Sequence, residues 1–169
     1  MKVLIVSDNH GDLASLEELI NIYENEIDLW LHCGDSEFNA SHPIWDTFKT
    51  VTGNMDRDPN LLDYRVETYE DETFLIVHGH RQQVRMTLEP MAELARENNA
   101  QIVFYGHTHV AQVDQIDGLY FINPGSIVQP RGSLRVGTYA IYEKKNQEEM
   151  ITYYDWNHNK VEELSQKLN

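Results

Sequence analysis

His107 and His109, two residues apart in Gly106-His107-Thr108-His109, are the side chains around which chemistry can be built in this sequence. They follow an apolar run, Ile102-Val103-Phe104-Tyr105, that reads as a buried strand. Residues two apart on a strand share a side. Both rings can therefore face one site just beyond the strand, where Gly106 would let the backbone turn tightly. Imidazole is the commonest metal-binding side chain, but two of them do not complete a coordination sphere. Other predicted strands end the same way: Asp8-Asn9-His10, Gly34-Asp35, Gly53-Asn54 and His78-Gly79-His80. In open α/β sheets ligands sit outside the carboxyl ends of the strands, so five such ends can converge. They offer His10, His78, His107 and His109 with Asp8, Asp35 and Asn54, enough for two metals sharing a bridge. Imidazole nitrogen with carboxylate oxygen suits Mn, Fe, Zn, Co or Ni better than Ca or Mg.

The elements that must position these residues follow from hydrophobic period. Lys2 to Val6 is β-rich and is followed by a helix over about 12–25, with Leu13, Leu16, Leu19, Ile20 and Tyr23 at helical spacing. Residues 28–33 form a second buried strand, so the chain opens as a βαβ unit with a parallel pair. A short helix is expected after Pro43, a brief strand at 50–52, and a hairpin from 64–69 and 73–77 around an acidic turn. A second helix is expected over about 86–98, before the strand at 102–105. Asp117-Gly118 joins 111–116 to 119–122 as a hairpin, and two more strands fall at 137–142 and 150–156. Residues 161–168 read as a short C-terminal helix. The expected fold is α/β: one domain over 1–169, with two sheets face to face and helices outside.

Composition narrows the function classes. At 169 residues and 41% hydrophobic, the chain suits one domain with a sizeable core. No apolar run approaches the roughly 20 residues of a membrane helix. The single cysteine, Cys33, allows no internal disulfide and reads as a small core residue. A cytoplasmic protein is the expectation. The net charge of −15 argues against general nucleic-acid binding, which needs a surplus of Lys and Arg. An anionic substrate would need a local positive centre, and bound cations can supply it.

The ordered set Asp8-x-His10, Gly34-Asp35, Gly53-Asn54, His78-Gly79-His80 and Gly106-His107-Thr108-His109 resembles the calcineurin-like metallophosphoesterase superfamily, in detail its small phosphodiesterases of the YfcE type. The likeness spans roughly residues 1–155. It implies a four-layer α/β/β/α sandwich of two mixed sheets flanked by helices. It further implies two divalent ions, manganese first, with nickel, iron, cobalt or zinc as alternatives. Asp8, His10 and His109 would hold one, Asn54, His78 and His107 the other, and Asp35 would bridge them. The activity implied is hydrolysis of phosphodiesters, or of monoesters, by attack of a metal-bridging hydroxide, with Asp35, Asn54 and His78 acting in the reaction itself. Two divalent ions against two carboxylates and a hydroxide leave roughly +1, a cationic pocket in an acidic protein.

Many superfamily members carry a histidine after the Gly-Asn pair as general acid. Met55 stands there in this sequence and cannot donate a proton, as in the YfcE-like relatives. Asp56 and His80 are the alternatives for that role, and neither is adopted as the acid. Asn9, His80 and Arg57 are the candidate substrate contacts, and Arg81, Arg131 and Arg135 are further arginines of the same type. Asn9 has a second reading as a helix cap. The partner expected is a small phosphorylated substrate, without a membrane, and self-association is left open. The alternative is a non-catalytic interaction scaffold of the same fold, like the retromer subunit, and a nuclease is a third reading. The scaffold has no need of all seven ligands, and the acidic surface argues against the nuclease.

Overall fold

The computed structural model describes residues 1–168. Along the chain run β1 (Lys2–Val6), α1 (Leu13–Tyr23), β2 (Leu29–His32), a 3-10 turn (Pro43–Asp46), β3 (Lys49–Thr50), β4 (Tyr64–Tyr69), β5 (Glu72–Val77) and α2 (Glu89–Glu97). There follow β6 (Ile102–Phe104), β7 (Gln112–Ile116), β8 (Leu119–Asn123), β9 (Thr138–Lys145), β10 (Glu148–Asp155) and β11 (Lys160–Lys167). One sheet has the order β11-β10-β9-β1-β2-β3 and the other β4-β5-β6-β8-β7.

The unbroken apolar runs arise because the central strands are covered on both faces. In β1, Val3 and Ile5 point into the layer between the sheets, where they meet Phe74, Ile76, Ile102 and Phe104 of the other sheet. The alternate residues Leu4 and Val6 pack with Leu16 and Leu19 of α1. The second sheet repeats the plan: Leu75, Val77 and Val103 face Met91, Ala92 and Ala95 of α2. The layers are therefore helix, sheet, sheet, helix, and both sheets are mixed. Truncating a side chain such as the fully buried Leu16 to alanine costs about 2–5 kcal/mol in such a core.

The opening βαβ unit is present, with β1 and β2 parallel in the register Val3↔Leu29. Both hairpins form. Asp117 and Gly118 carry φ of 50° and 81°, the pair of positive values that a tight hairpin turn needs. The second helix is shorter than its period suggested, starting at Glu89 because Pro90 suits a first turn while residues 80–86 make turns.

The C-terminal segment corrects the sequence expectation. Residues 161–168 are not a helix: Lys160–Lys167 is the edge strand β11, paired with β10. Tyr153 pairs with Val161 but Ile151 with Gln166, so the ladder shifts register between them. Ser165 spans the irregularity, donating through Oγ to Val161 O and accepting from Tyr153 N. Inserted residues break the two-residue alternation, so the spacing of Val161, Leu164 and Leu168 imitates a helical period.

Candidate metal centre

All seven expected ligands meet at the carboxyl ends of β1, β2, β5 and β6 and in the loop after β3. Asp8, His10, Asp35 and His109 bring one ligand atom each to within 4.8 Å of one another. Beside them, Asn54 Oδ1 lies 3.2 Å from His78 Nε2 and 2.9 Å from His107 Nδ1. Asp35 Oδ2 lies 3.3 Å from His78 Nε2, so this carboxylate belongs to both groups.

Backbone conformation aims these side chains. Asp8, His10, Asp35, His107 and His109 all have positive φ, between 43° and 67°. The left-handed region is uncommon for residues other than glycine and collects at functional sites. Gly106 does not itself adopt it; its glycine is required for close approach. A Cβ there would come 2.2 Å from Ser7 Oγ and 2.7 Å from Asp8 Oδ2. Gly53 is held in the same way, with a Cβ falling 2.0 Å from Asp35 Oδ1. The expected tight turn forms, with Thr108 N donating to Gly106 O at 2.8 Å, but the glycine is demanded by close packing rather than by its own φ.

Hydrogen bonds behind the ligands fix ring orientation. His109 Nδ1 donates to Gln129 O at 2.8 Å, His78 Nδ1 to Cys33 O at 2.7 Å, and His10 Nδ1 to the Glu37 carboxylate at 2.9 Å. An acceptor on the outer nitrogen leaves the inner Nε2 as a lone pair. His10 Nε2 and His109 Nε2 then face each other at 3.3 Å, with Asp8 Oδ1 3.1 Å from the latter. Asp8 Oδ1 is buried and receives no hydrogen bond. Three acceptors that converge without a donor fit a cation.

The titration shifts agree. Burial alone would raise the Asp35 carboxyl, but His78 and the Met55 amide beside it bring it down to about 2. Burial raises Asp8 too and is outweighed by His109, His78 and Ser7, so its pKa is lowered. His78 is pushed down by burial and up more strongly by Asp35 and Asp8, with a raised net value. Positive charge is thus favoured at this point between the carboxylates, and a bound cation would supply it. His107 is lowered to about 4 by burial and by His78.

A cavity of about 270 Å³ opens over the ligands. Besides ligands, Glu37, Met55, Arg85, Gln129 and Arg131 line it. Asn9 does not: it is fully buried, donating to Asp12 O and bonded to His32 Nε2. Nor does it cap α1, whose N-cap is Asp12 without a side-chain bond. Arg57 lines a neighbouring hollow with Met55 and Glu37. Arg81 is occupied by Asp63 at 2.6 Å. His80 lies tilted beside His78 and His107, with ring centroids 5.2 and 6.1 Å away.

Asp56 is no proton donor to this cavity. Its carboxylate accepts from the amides of Asp35, Gly53 and Glu37 at 2.9, 2.7 and 2.6 Å, and from Ser36 Oγ. It ties the Asp35 loop to the Asn54 loop. The turn at 123–126 supports the other side: Asn123 Nδ2 donates to Gly106 O, and Ser126 Oγ to Asp8 O. Glu37, Arg85 and Gln129 were not singled out from sequence. The Asp8-x-His10 spacing signals a ligand pair, but nothing local signals that Glu37 will fold onto His10.

This geometry defines a candidate metal-binding site on a four-layer α/β fold. The sequence matches the calcineurin-like phosphoesterase superfamily domain over residues 1–147, and the chain belongs to that superfamily. It is 35% identical over 168 residues to a probable metallophosphoesterase of Bacillus subtilis, covering 99% of each chain. A phosphodiesterase of Methanocaldococcus jannaschii is 30% identical over 145 residues, covering 74% of this chain and 83% of that protein. Among solved structures, an uncharacterised protein of Streptococcus pneumoniae described as a predicted phosphoesterase superposes with a TM-score of 0.94 at 30% identity, covering 99% of this chain and 96% of that one.

Proposed function

We propose that the protein hydrolyses small phosphodiesters in a dinuclear centre, with manganese as the first metal to test. Asp8, His10 and His109 would hold one ion and Asn54, His78 and His107 the other, with Asp35 shared. The observation that carries this is the donor-free meeting of Asp8 Oδ1, His10 Nε2 and His109 Nε2. Two divalent ions so held lower the pKa of coordinated water toward about 7 and stabilise charge on a phosphoryl group.

The chain's own residues supply position. Glu37, Gln129 O and Cys33 O keep the imidazoles in the tautomer that presents Nε2. Asp56 holds the loop of the shared carboxylate against the loop of Asn54. Met55 lines the cavity where an acid would assist departure of the alcohol, and it offers no proton. Esters with good leaving groups, such as aryl esters, are the expected fast substrates.

Metal analysis of the purified protein, then turnover of bis(p-nitrophenyl) phosphate and p-nitrophenyl phosphate after Mn²⁺, Ni²⁺, Co²⁺ or Zn²⁺ addition, tests the proposal. About two equivalents of metal and faster diester cleavage are expected. Neither metal nor turnover would return the protein to the scaffold class.

A further inference from the structure

Arginines in this acidic chain divide sharply by partner. Arg65, Arg81 and Arg96 each reach a carboxylate, at 3.4, 2.6 and 2.9 Å. Among the described residues, Arg57, Arg85, Arg131 and Arg135 have no carboxylate within 4.0 Å. With 28 acidic residues against 13 basic ones, an arginine without an acid is not the expectation. Two of the four, Arg85 and Arg131, line the cavity over the metal ligands, and Arg57 lines the hollow beside it. The backbone of Arg131 is tied to the site, its amide donating to His109 O at 2.9 Å.

Charge within the cavity says what these guanidiniums await. Two divalent ions are offset by Asp8, Asp35, Glu37 and the attacking hydroxide to a net charge of about zero, so one guanidinium suffices for the single negative charge of a plain phosphodiester. With Arg85 and Arg131 both lining the cavity, one positive charge is then surplus. Both arginines are exposed, at the mouth, whereas Asp35 and His109 are buried at the floor. A group that they bind is therefore displaced from the phosphorus held at the floor. We propose that the substrate carries a second acidic group, a carboxylate or a further phosphate on an ester arm, received by Arg85 and Arg131 at the mouth of the cavity. Guanidinium presents a planar fork matched to either group. This rests on the phosphoesterase proposal and specifies its substrate class.

Binding calorimetry of the manganese-loaded protein with two non-hydrolysable probes, ethylphosphonate and 3-phosphonopropionate, tests it without turnover. They differ by one carboxylate. The expected result is at least roughly tenfold tighter binding of 3-phosphonopropionate, as one charge-assisted hydrogen bond supplies. In the Arg85→Gln/Arg131→Gln double variant the ratio of the two affinities falls to near one, with bound metal unchanged. Equal affinities in the unsubstituted protein, or a ratio that survives both substitutions, would overturn the inference. A metal-loaded protein that turns over bis(p-nitrophenyl) phosphate but binds both probes equally refutes only the acidic-arm inference. A protein that cleaves no phosphoester refutes the broader proposal.

Discussion

The two halves of the proposed metal centre are built to different standards. Asp8, His10 and His109 form the first half. One is a carboxylate, and both rings are locked from behind by Glu37 and Gln129 O. The second half has a neutral amide, Asn54, and a half-exposed ring, His107, which meets it through Nδ1. Only His78 there is fully locked, by Cys33 O. Ligand charge and ring pre-orientation both raise metal affinity. The first half should therefore bind tightly and the second exchange, with Asp35 coupling them.

Removing the coupling gives the largest effect. Asp35→Asn should lose metal from both halves and lower turnover by at least about a thousandfold, the several kcal/mol that metal charge stabilisation supplies. Metal content and kcat measured on one preparation check this, and full activity without metal would break the comparison.

Acid should strain the layer beneath both halves. His32 is fully buried and its pKa lies at about 4, because burial outweighs the neighbouring aspartates. A histidine depressed in the folded state stays neutral there while the unfolded chain takes up a proton. Its contribution is thus complete above about pH 6.5 and lost as pH falls toward 4, up to about 3 kcal/mol. Urea denaturation of the metal-free protein at pH 7 and pH 4.5 should show this loss, and His32→Gln should flatten it.

Asn54→Ala separates the halves. It should weaken the second metal roughly a hundredfold, leaving about one equivalent after dialysis, with the first affinity nearly unchanged. Equal loss from both would show that the halves act as one. The smallest effect belongs to Glu37→Gln, which keeps a hydrogen-bonding partner for His10 and removes its charge. About tenfold weaker binding at the first half is expected by metal-competition titration, with the second unaffected.

The convergence of the candidate ligands was legible because each lies in the loop that follows a strand, and strand ends converge for topological reasons. Val3 to Val6 and Phe74 to Val77 announce their two-sided burial by composition alone. What stayed hidden is long-range or irregular. Asp56, a candidate acid in sequence, proves to be a tie between loops, because three amides from two separate loops arrive at it. Asn9 looked available for phosphate, yet His32 from β2 consumes its side chain. Val161 to Leu168 deceived because a register shift in β11 erased the alternation by which strands are known.

The left-handed backbones of Asp8, His10, Asp35, His107 and His109 carry an evolutionary consequence. Such conformations cost on the order of 1–3 kcal/mol each for residues other than glycine. Drift toward glycine at any of the five would relieve strain while abolishing a ligand. A lineage released from its chemistry would gain thermal tolerance by discarding these side chains, and the five would be among the first to go. In the proposed centre the five side chains stand where stability alone would favour glycine, so the chemistry and the stability of this chain pull in opposite directions.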